Sequence, residues 1–419
     1  MLLQVALLFI TTKLMGAEIK GMIGLLVLNL TLIALLAGVV GGSAMVYLVP
    51  RHRIRHLLLI GYAWSAAVVP VASFVLALSG TEGFPGYAAF LPLALGEAFL
   101  AVHAPVLLGA KRVGAHNYSL VIKSLVTVGA LAYVIWSRGN PDFDDFVQAY
   151  FLGLIAALAY SAFALLRLPN VEKPRTSAVA TFRDLFKYGF PVQLGNLAQF
   201  LNYRLGFYLL EWFLLPGAAL VRIGIYAAAL QVSESLLQFS RSVSIVQYAE
   251  VSNSDDRGKA LKLSLQFIKL NYSVTFLGAV VLLLLPNQWY TAFLGSEFHE
   301  VKAHLILLVP GLVALSVSGG ISHFFSGVGL HRLNTFASAL GLLCTAAVGI
   351  PAVAFFGTYG AVVTASLAYI NLVSVQYAQL RKREGVTLGD FVITAGDAAD
   401  FRRIVTGYLR LHRKPGNDT

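Results

Sequence analysis

Two stretches of this chain are apolar enough to sit in lipid yet carry stripes of side chains that lipid does not tolerate. Across 187–214, taking about 100° per residue, Gln193, Arg204 and Glu211 fall on one line. Asn196 and Tyr203 lie about 60–80° to one side of it and Gln199 about 120° away. Across 222–249, Gln231, Glu234, Gln238, Arg241 and Ser242 fall within about 100° of one another. An ionised side chain at mid-bilayer costs at least a few kcal/mol, so those present face water or one another. Both stripes are expected to line an aqueous interior.

Depth follows from a rise of about 1.5 Å per residue, counted from the helix ends that carry basic loops. Arg204 lies about 25 Å in and Glu234 about 22 Å in. On neighbouring antiparallel helices the two can meet, either as structural glue or as a charge pair that opens when substrate or a proton arrives. Arg241 lies about 12 Å in, Lys269 about 15 Å and Lys123 about 9 Å. Lys259, Lys262, Gln266 and Lys269 share one face about 80° wide. Lys123 and Lys269 are also long enough to snorkel to the headgroups. Together these cations make one half of the interior electropositive, which attracts an anion; a pyrophosphate is the membrane-associated anion that most needs such a site. The expected substrate-binding set is Arg204, Arg241, Lys269 and Lys123, with Asn196, Gln199, Tyr203, Gln231 and Gln238 as uncharged members. Glu234 and Glu97 are the candidates for coupling or gating, and a hydrogen-bonded packing role suits Glu97 equally. His103 and His323 read as satisfied interior histidines rather than metal ligands. No nucleophile–base pair stands out, so neither an enzyme activity nor a cofactor is expected.

The composition fits this picture. The chain has 419 residues, 58% of them hydrophobic, and only 12% are charged, about half the ~25% of an ordinary soluble domain. Mean hydropathy is +0.74. A soluble fold of this length cannot hide so much apolar surface, so the chain is expected to be an all-α polytopic membrane protein. The one cysteine, Cys344, excludes an intramolecular disulfide and a cysteine-based zinc site. No Walker loop or dinucleotide fingerprint is present, so nucleotide hydrolysis by this chain is not expected.

A hydropathy window of about 19 residues finds about twelve apolar runs, near 1–12, 21–49, 56–79, 86–110, 117–136, 146–167, 187–214, 222–249, 259–285, 304–328, 334–355 and 358–378. All but the first reach the ~20 residues that a bilayer core requires; the first is expected to be a truncated helix. Pro169, Pro174 and their polar neighbours mark 168–186 as a linker. The expected organisation is an N-terminal lobe over 1–167, that linker, a C-terminal lobe over 187–378 and a tail over 379–419, with six helices in each lobe. A weak echo between Gly16–Gly21 and Gly217–Gly224 hints at two repeats.

Net charge is +11, and its placement is a topology signal rather than a nucleic-acid footprint. Of the 31 Lys and Arg, 22 fall in the loops after even-numbered spans, in the linker or in the tail. Five fall in the alternate loops, and the remaining four are Lys123, Arg204, Arg241 and Lys269. The positive-inside rule puts the C-terminus in the cytoplasm. Within Ala399–Arg413, Phe401, Ile404, Val405 and Tyr408 share a face beside Arg402, Arg403 and Arg410. That pattern suits a helix lying on the cytoplasmic leaflet or a solvated terminal helix.

Several local motifs carry a family resemblance. Phe186-Lys187-Tyr188-Gly189-Phe190-Pro191, then Leu194-Gly195-Asn196 and Asn202-Tyr203-Arg204, resemble the seventh helix of polysaccharide flippases. These flippases belong to the multidrug/oligosaccharidyl-lipid/polysaccharide exporter (MOP) superfamily. Ile225-Tyr226 with Glu234 is similar to the eighth helix, Gly327 to Asn334 to the loop before the eleventh, and Gly357-Thr358-Tyr359-Gly360-Ala361 to the turn into the twelfth. Gly16-Ala17-Glu18 and Tyr47-Leu48-Val49-Pro50-Arg51 resemble the second helix. The resemblance implies twelve helices in two six-helix lobes working by alternating access. It implies movement of undecaprenyl-pyrophosphate-linked oligosaccharide from the cytoplasmic to the periplasmic leaflet of a bacterial inner membrane, as in O-antigen and lipopolysaccharide synthesis. Polysaccharide polymerases and glycosyltransferases of the same pathway are the implied partners, along with membrane lipid. One departure is Gly206, which stands where many relatives place an acid.

Two other readings compete. An H⁺- or Na⁺-coupled antiporter for drugs or metabolites has the same architecture, but cationic drugs call for net acidic charge inside. A membrane-embedded polymerase or acyltransferase needs a polar catalytic cluster, and the loop 286–303, with Glu297, His299, Glu300 and Lys302, offers little of one.

Overall fold

The computed structural model describes residues 2–80, 84–169, 177–252, 256–394 and 396–397. The side chains of Phe239, Arg241, Ser242, Ile245, Val246, Ala249 and His331 lie outside the described set. Everything described is helix or connection. The helices are α1 (Leu2–Phe9), α2 (Gly16–Ala37), α3 (Gly42–Leu48), α4 (Ile54–Leu78), α5 (Tyr87–Gly109), α6 (Val113–Arg138) and α7 (Phe143–Leu166), followed by α8 (Ala178–Phe213), α9 (Ala218–Ser252), α10 (Arg257–Leu284), α11 (Asn287–Leu294), α12 (Val301–Gly327) and α13 (His331–Glu384). Among the described residues, nine helical segments are long and apolar enough to cross a membrane. The expectation of an all-α polytopic membrane protein holds.

Several apolar runs resolve differently from their sequence outline. The run 21–49 is two helices, α2 and α3, separated by a 3₁₀ turn at Gly38–Val40. The runs 334–355 and 358–378 belong to α13, whose helical path breaks at Gly357 (φ 55°, ψ −128°). The chain folds back there: Gln376 Nε2 donates to Asn334 Oδ1 at 3.4 Å, a contact that a straight helix cannot make across 42 residues. The first run is short, Leu2–Leu14, and finishes in a π-helical turn. α8 begins at Ala178, inside the expected linker, where Ser177 caps it by accepting the Ala180 N–H at 3.1 Å. Residues 170–176 of that linker, and the expected amphipathic stretch Ala399–Arg413, lie outside the described residues.

The burial pattern of α4 is that of a helix facing lipid on one side. On α4 the buried face reads Leu57, Gly61, Ser65, Val69, Ser73 at every fourth residue, while Leu59, Val71, Phe74 and Leu78 are exposed. Small residues turned inward let backbones approach, and large apolar ones turned outward meet lipid rather than water.

By packing, the chain divides into two units. The first comprises Met1–Ala228 with Asn287–Val301, and the second Ala229–Pro286 with Lys302–Thr419. In the first unit, Leu26, Leu30 and Ile33 of α2 are buried with Phe90 and Leu93 of α5 and Phe146 and Leu154 of α7. The sequence echo has a structural counterpart here. Gly16 and Gly217 both take the left-handed φ of +81°, and the helices they open cross within their first two turns. A Cβ on Gly21 would lie 2.0 Å from Leu220 O, and one on Gly224 would lie 1.8 Å from Ala17 O. In the second unit the core includes Ile268, Ile321, Phe324, Phe325 and Leu380, with Val386 just beyond α13.

Candidate functional site

In the first unit the structure brings Glu97 and Lys123 together. Lys123 Nζ on α6 donates to Glu97 Oε1 on α5. Tyr150 on α7 completes a triangle, donating to Glu97 Oε1 at 2.8 Å while Lys123 Nζ reaches the Tyr150 oxygen at 2.9 Å. The two charged side chains are 18% and 15% exposed. Tyr150 escaped the sequence reading because a tyrosine in an apolar run is ordinary there.

Further along α5, His103 lies between two hydroxyls. Its Nε2 meets Tyr62 of α4, and its Nδ1 meets Ser161 Oγ of α7 at 2.7 Å. His103 and Ser161 are buried. Both ring nitrogens are thereby satisfied, as an interior histidine requires.

α8 carries the amide-rich stripe. Gln193 is buried, and its amide nitrogen fills the break between α2 and α3: a Cβ on Gly38 would lie 2.0 Å from it and one on Gly42 3.1 Å. Gly38 and Gly42 therefore leave room for that amide. Asn196 Nδ2 donates to Gln193 Oε1 at 2.5 Å, and Gln199 Nε2 donates to the Tyr203 oxygen at 3.1 Å. Gln199 is exposed, while Asn196, Tyr203 and Arg204 are half-buried. Tyr208, one turn beyond Arg204, donates to Asn29 Oδ1 of α2 at 2.8 Å.

Gln231, Glu234 and Gln238 lie on α9 in the second unit, each half-buried. Arg204 belongs to the first unit and Glu234 to the second. The Arg241 side chain lies outside the described residues.

Lys269 has a partner that the sequence reading did not supply. Its Nζ lies 3.1 Å from Asp397 Oδ2 and 3.3 Å from Oδ1, with the two side chains 12% and 8% exposed. Tyr272, almost one turn along α10, donates to Phe391 O at 2.6 Å. The Thr394 N–H, backed by the Thr394 hydroxyl and Lys269, holds the Asp397 carboxyl below the usual aspartate range. The stretch after α13 thus packs onto α10.

A second polar cluster, also missed, joins α12 to both arms of α13. Gln376 Nε2 donates to Ser322 Oγ at 2.7 Å, and Asn334 Nδ2 donates to Ser322 O at 2.9 Å. Gln247 Nε2 of α9 donates to Gly320 O at 2.8 Å. These side chains offer neutral donors and acceptors within an apolar bundle, suited to hydroxyl-rich ligands or to helix packing.

On its helices alone, the chain is a multi-pass integral membrane protein. The fold is shared with solved transporters. An inward-facing multidrug-resistance MATE-family transporter of the MOP superfamily is 14% identical, with a TM-score of 0.68 over 91% of this chain and 93% of that one. The lipid II flippase MurJ, in an inward closed conformation, is 15% identical, with a TM-score of 0.69 over 99% of this chain and 91% of that one. A MOP superfamily transporter from Pyrococcus furiosus, described as having a binding pocket of reverse polarity, is 16% identical, with a TM-score of 0.60 over 88% of each chain. No family model matches the chain, and no curated protein matches it. The chain therefore has the MOP transporter fold. At these identities the likeness speaks for the fold alone.

Proposed function

We propose that this chain is a flippase that moves undecaprenyl-pyrophosphate-linked oligosaccharide from the cytoplasmic to the periplasmic leaflet of a bacterial inner membrane, with its C-terminus in the cytoplasm. The observation that carries this reading is the composition of α8. Asn196, Gln199 and Tyr203 supply donors and acceptors for sugar hydroxyls, and Arg204, in the same turns, supplies a fork of donors for phosphate oxygens. Lys269 and Arg241 add positive charge, and Gln231 and Gln238 extend the neutral polar surface. The pyrophosphate is captured by cations while the polyprenyl chain stays in lipid. No covalent chemistry is required of the protein. Glu234 is the proposed gating acid, and Glu97, held by Lys123, the proposed site of a coupling proton. Polysaccharide polymerases and glycosyltransferases of the same pathway are the proposed partners.

The test is complementation with a lipid readout. In a strain lacking its own O-antigen or capsule flippase, this chain should restore surface polysaccharide and clear the accumulated lipid-linked intermediate. A second reading, an H⁺- or Na⁺-coupled antiporter, draws support from the likeness in fold to MATE transporters. It predicts no rescue, together with drug resistance that depends on Glu97.

A further inference from the structure

The segment after α13 contains one four-residue pattern twice, Thr387-Leu388-Gly389-Asp390 and Thr394-Ala395-Gly396-Asp397. In each copy the aspartate folds back on its threonine. Asp390 Oδ2 accepts the Thr387 N–H at 2.7 Å and the Thr387 hydroxyl at 2.9 Å. Asp397 Oδ2 accepts the Thr394 N–H at 2.6 Å and the Thr394 hydroxyl at 2.8 Å. These hydrogen bonds hold two carboxylates seven residues apart in sequence, each on its own threonine.

Their position on α10 gives them meaning. Arg257, the first residue of α10, pairs with Glu384, the last of α13, at 2.5 Å. The chain then reverses at Gly385, whose left-handed φ of 70° caps the helix. It runs back along α10 to Lys269, about 18 Å from Arg257 at 1.5 Å per residue. Most of this stretch stays exposed, at 387–390 and 392–394, and a few residues anchor it. Val386 is buried, Phe391 packs edge-on against Tyr377, and Tyr272 holds the Phe391 carbonyl. Asp397 then meets Lys269 in a site where both side chains are about nine-tenths buried. Thr387 holds the Asp390 carboxyl below its ordinary range, and the charge of Lys269 adds to that effect.

We propose that Lys269, with Tyr272 beside it, forms an anion-binding site and that the stretch after α13, anchored by Val386, Phe391 and Asp397, is its built-in competing ligand. The Asp397 carboxylate occupies Lys269 as an anion would, and the segment leaves when a diphosphate arrives. The identity of the natural anion rests on the flippase reading; the competition itself does not.

The test uses the full chain with Cys344→Ser and Val386→Cys, so that maleimide labelling at a buried position reports release of the segment. Inorganic pyrophosphate should speed labelling several-fold over chloride at equal ionic strength. Asp397→Asn should label fast without any added anion. Lys269→Gln should label fast and no longer respond to pyrophosphate. If Val386→Cys does not fold, a spin label on the exposed Val392→Cys reads the same release through its mobility. Farnesyl diphosphate acting at tenfold lower concentration than inorganic pyrophosphate identifies a lipid-linked anion, and equal potency identifies a soluble one. Labelling that pyrophosphate leaves unchanged, or that Asp397→Asn leaves slow, overturns the proposal even in a chain that complements. Release by pyrophosphate in a chain that does not complement overturns the flippase reading and leaves the anion site standing.

Discussion

Lys123 and Glu97 form an ion pair inside the first unit, and Tyr150 donates to the same carboxylate oxygen that Lys123 holds. Removing one partner of a well-buried pair costs about 3–5 kcal/mol, because the other charge is left without compensation. Lys123→Met should therefore lower the melting temperature of the detergent-purified protein more than the double variant Glu97→Gln/Lys123→Met, which removes both charges. Equal melting temperatures would show that the pair is not coupled.

Gly224 and Gly129 separate close packing from simple helix propensity. A Cβ on Gly224 would lie 1.8 Å from Ala17 O, whereas one on Gly129 meets nothing within 4 Å. Gly224→Ala should destabilise by at least the ~1–3 kcal/mol typical of overpacking. Gly129→Ala, mid-helix in α6, should be neutral or stabilise by up to about 1 kcal/mol. Thermal unfolding of the two purified variants measures both, and a tolerated Gly224→Ala would refute the α2–α9 crossing.

How legible this was in the sequence varies with the physics involved. The stripe on α8 was readable because an arginine and several amides inside an apolar run must be accommodated wherever they fall. The break at Gly357 showed as a gap between two apolar runs, although the helix resumes immediately on its far side. The Gly16–Gly217 echo was faint in composition, yet both glycines adopt the same left-handed φ. Lys123 and Glu97 were singled out separately, one for anion capture and one for coupling, because the register of α5 against α6 is set by packing. Asp397 went unnoticed because an acid in a basic tail reads as solvated. The repeated Thr-x-Gly-Asp pattern was the available signal, and its depth against α10 depends on a chain reversal that periodicity does not encode.

Arg204 should resist conservative replacement. Its planar fork can hold two phosphate oxygens at once, which a lysine ammonium cannot. In the complementing strain, Arg204→Ala should lower surface polysaccharide at least tenfold at equal expression, and Arg204→Lys should recover only part of it. Full activity in Arg204→Ala would remove this residue from the substrate site.

Docking of the 385–397 segment should depend on pH in one direction. The Asp397 carboxyl is held below its ordinary value by the Thr394 N–H first, then by the Thr394 hydroxyl and Lys269. A lowered carboxyl contributes stability above the unfolded value of about 3.9 and loses it as pH falls through the folded value. A spin label at Val392→Cys should stay immobile from about pH 8 to about pH 5 and gain mobility below about pH 4. Release already complete at neutral pH would contradict the ion pair.

Cation-dependent flipping is tested by translocation in reconstituted vesicles. A polyprenyl-pyrophosphate oligosaccharide is loaded in both leaflets, and its access to an externally added, sugar-modifying reagent is followed over time. The wild-type chain should render nearly all of the lipid-linked sugar accessible. The triple variant Arg204→Ala/Arg241→Ala/Lys269→Ala, incorporated at the same level, should leave the inner-leaflet half protected. Equal access with both proteins would contradict a cation-dependent flippase.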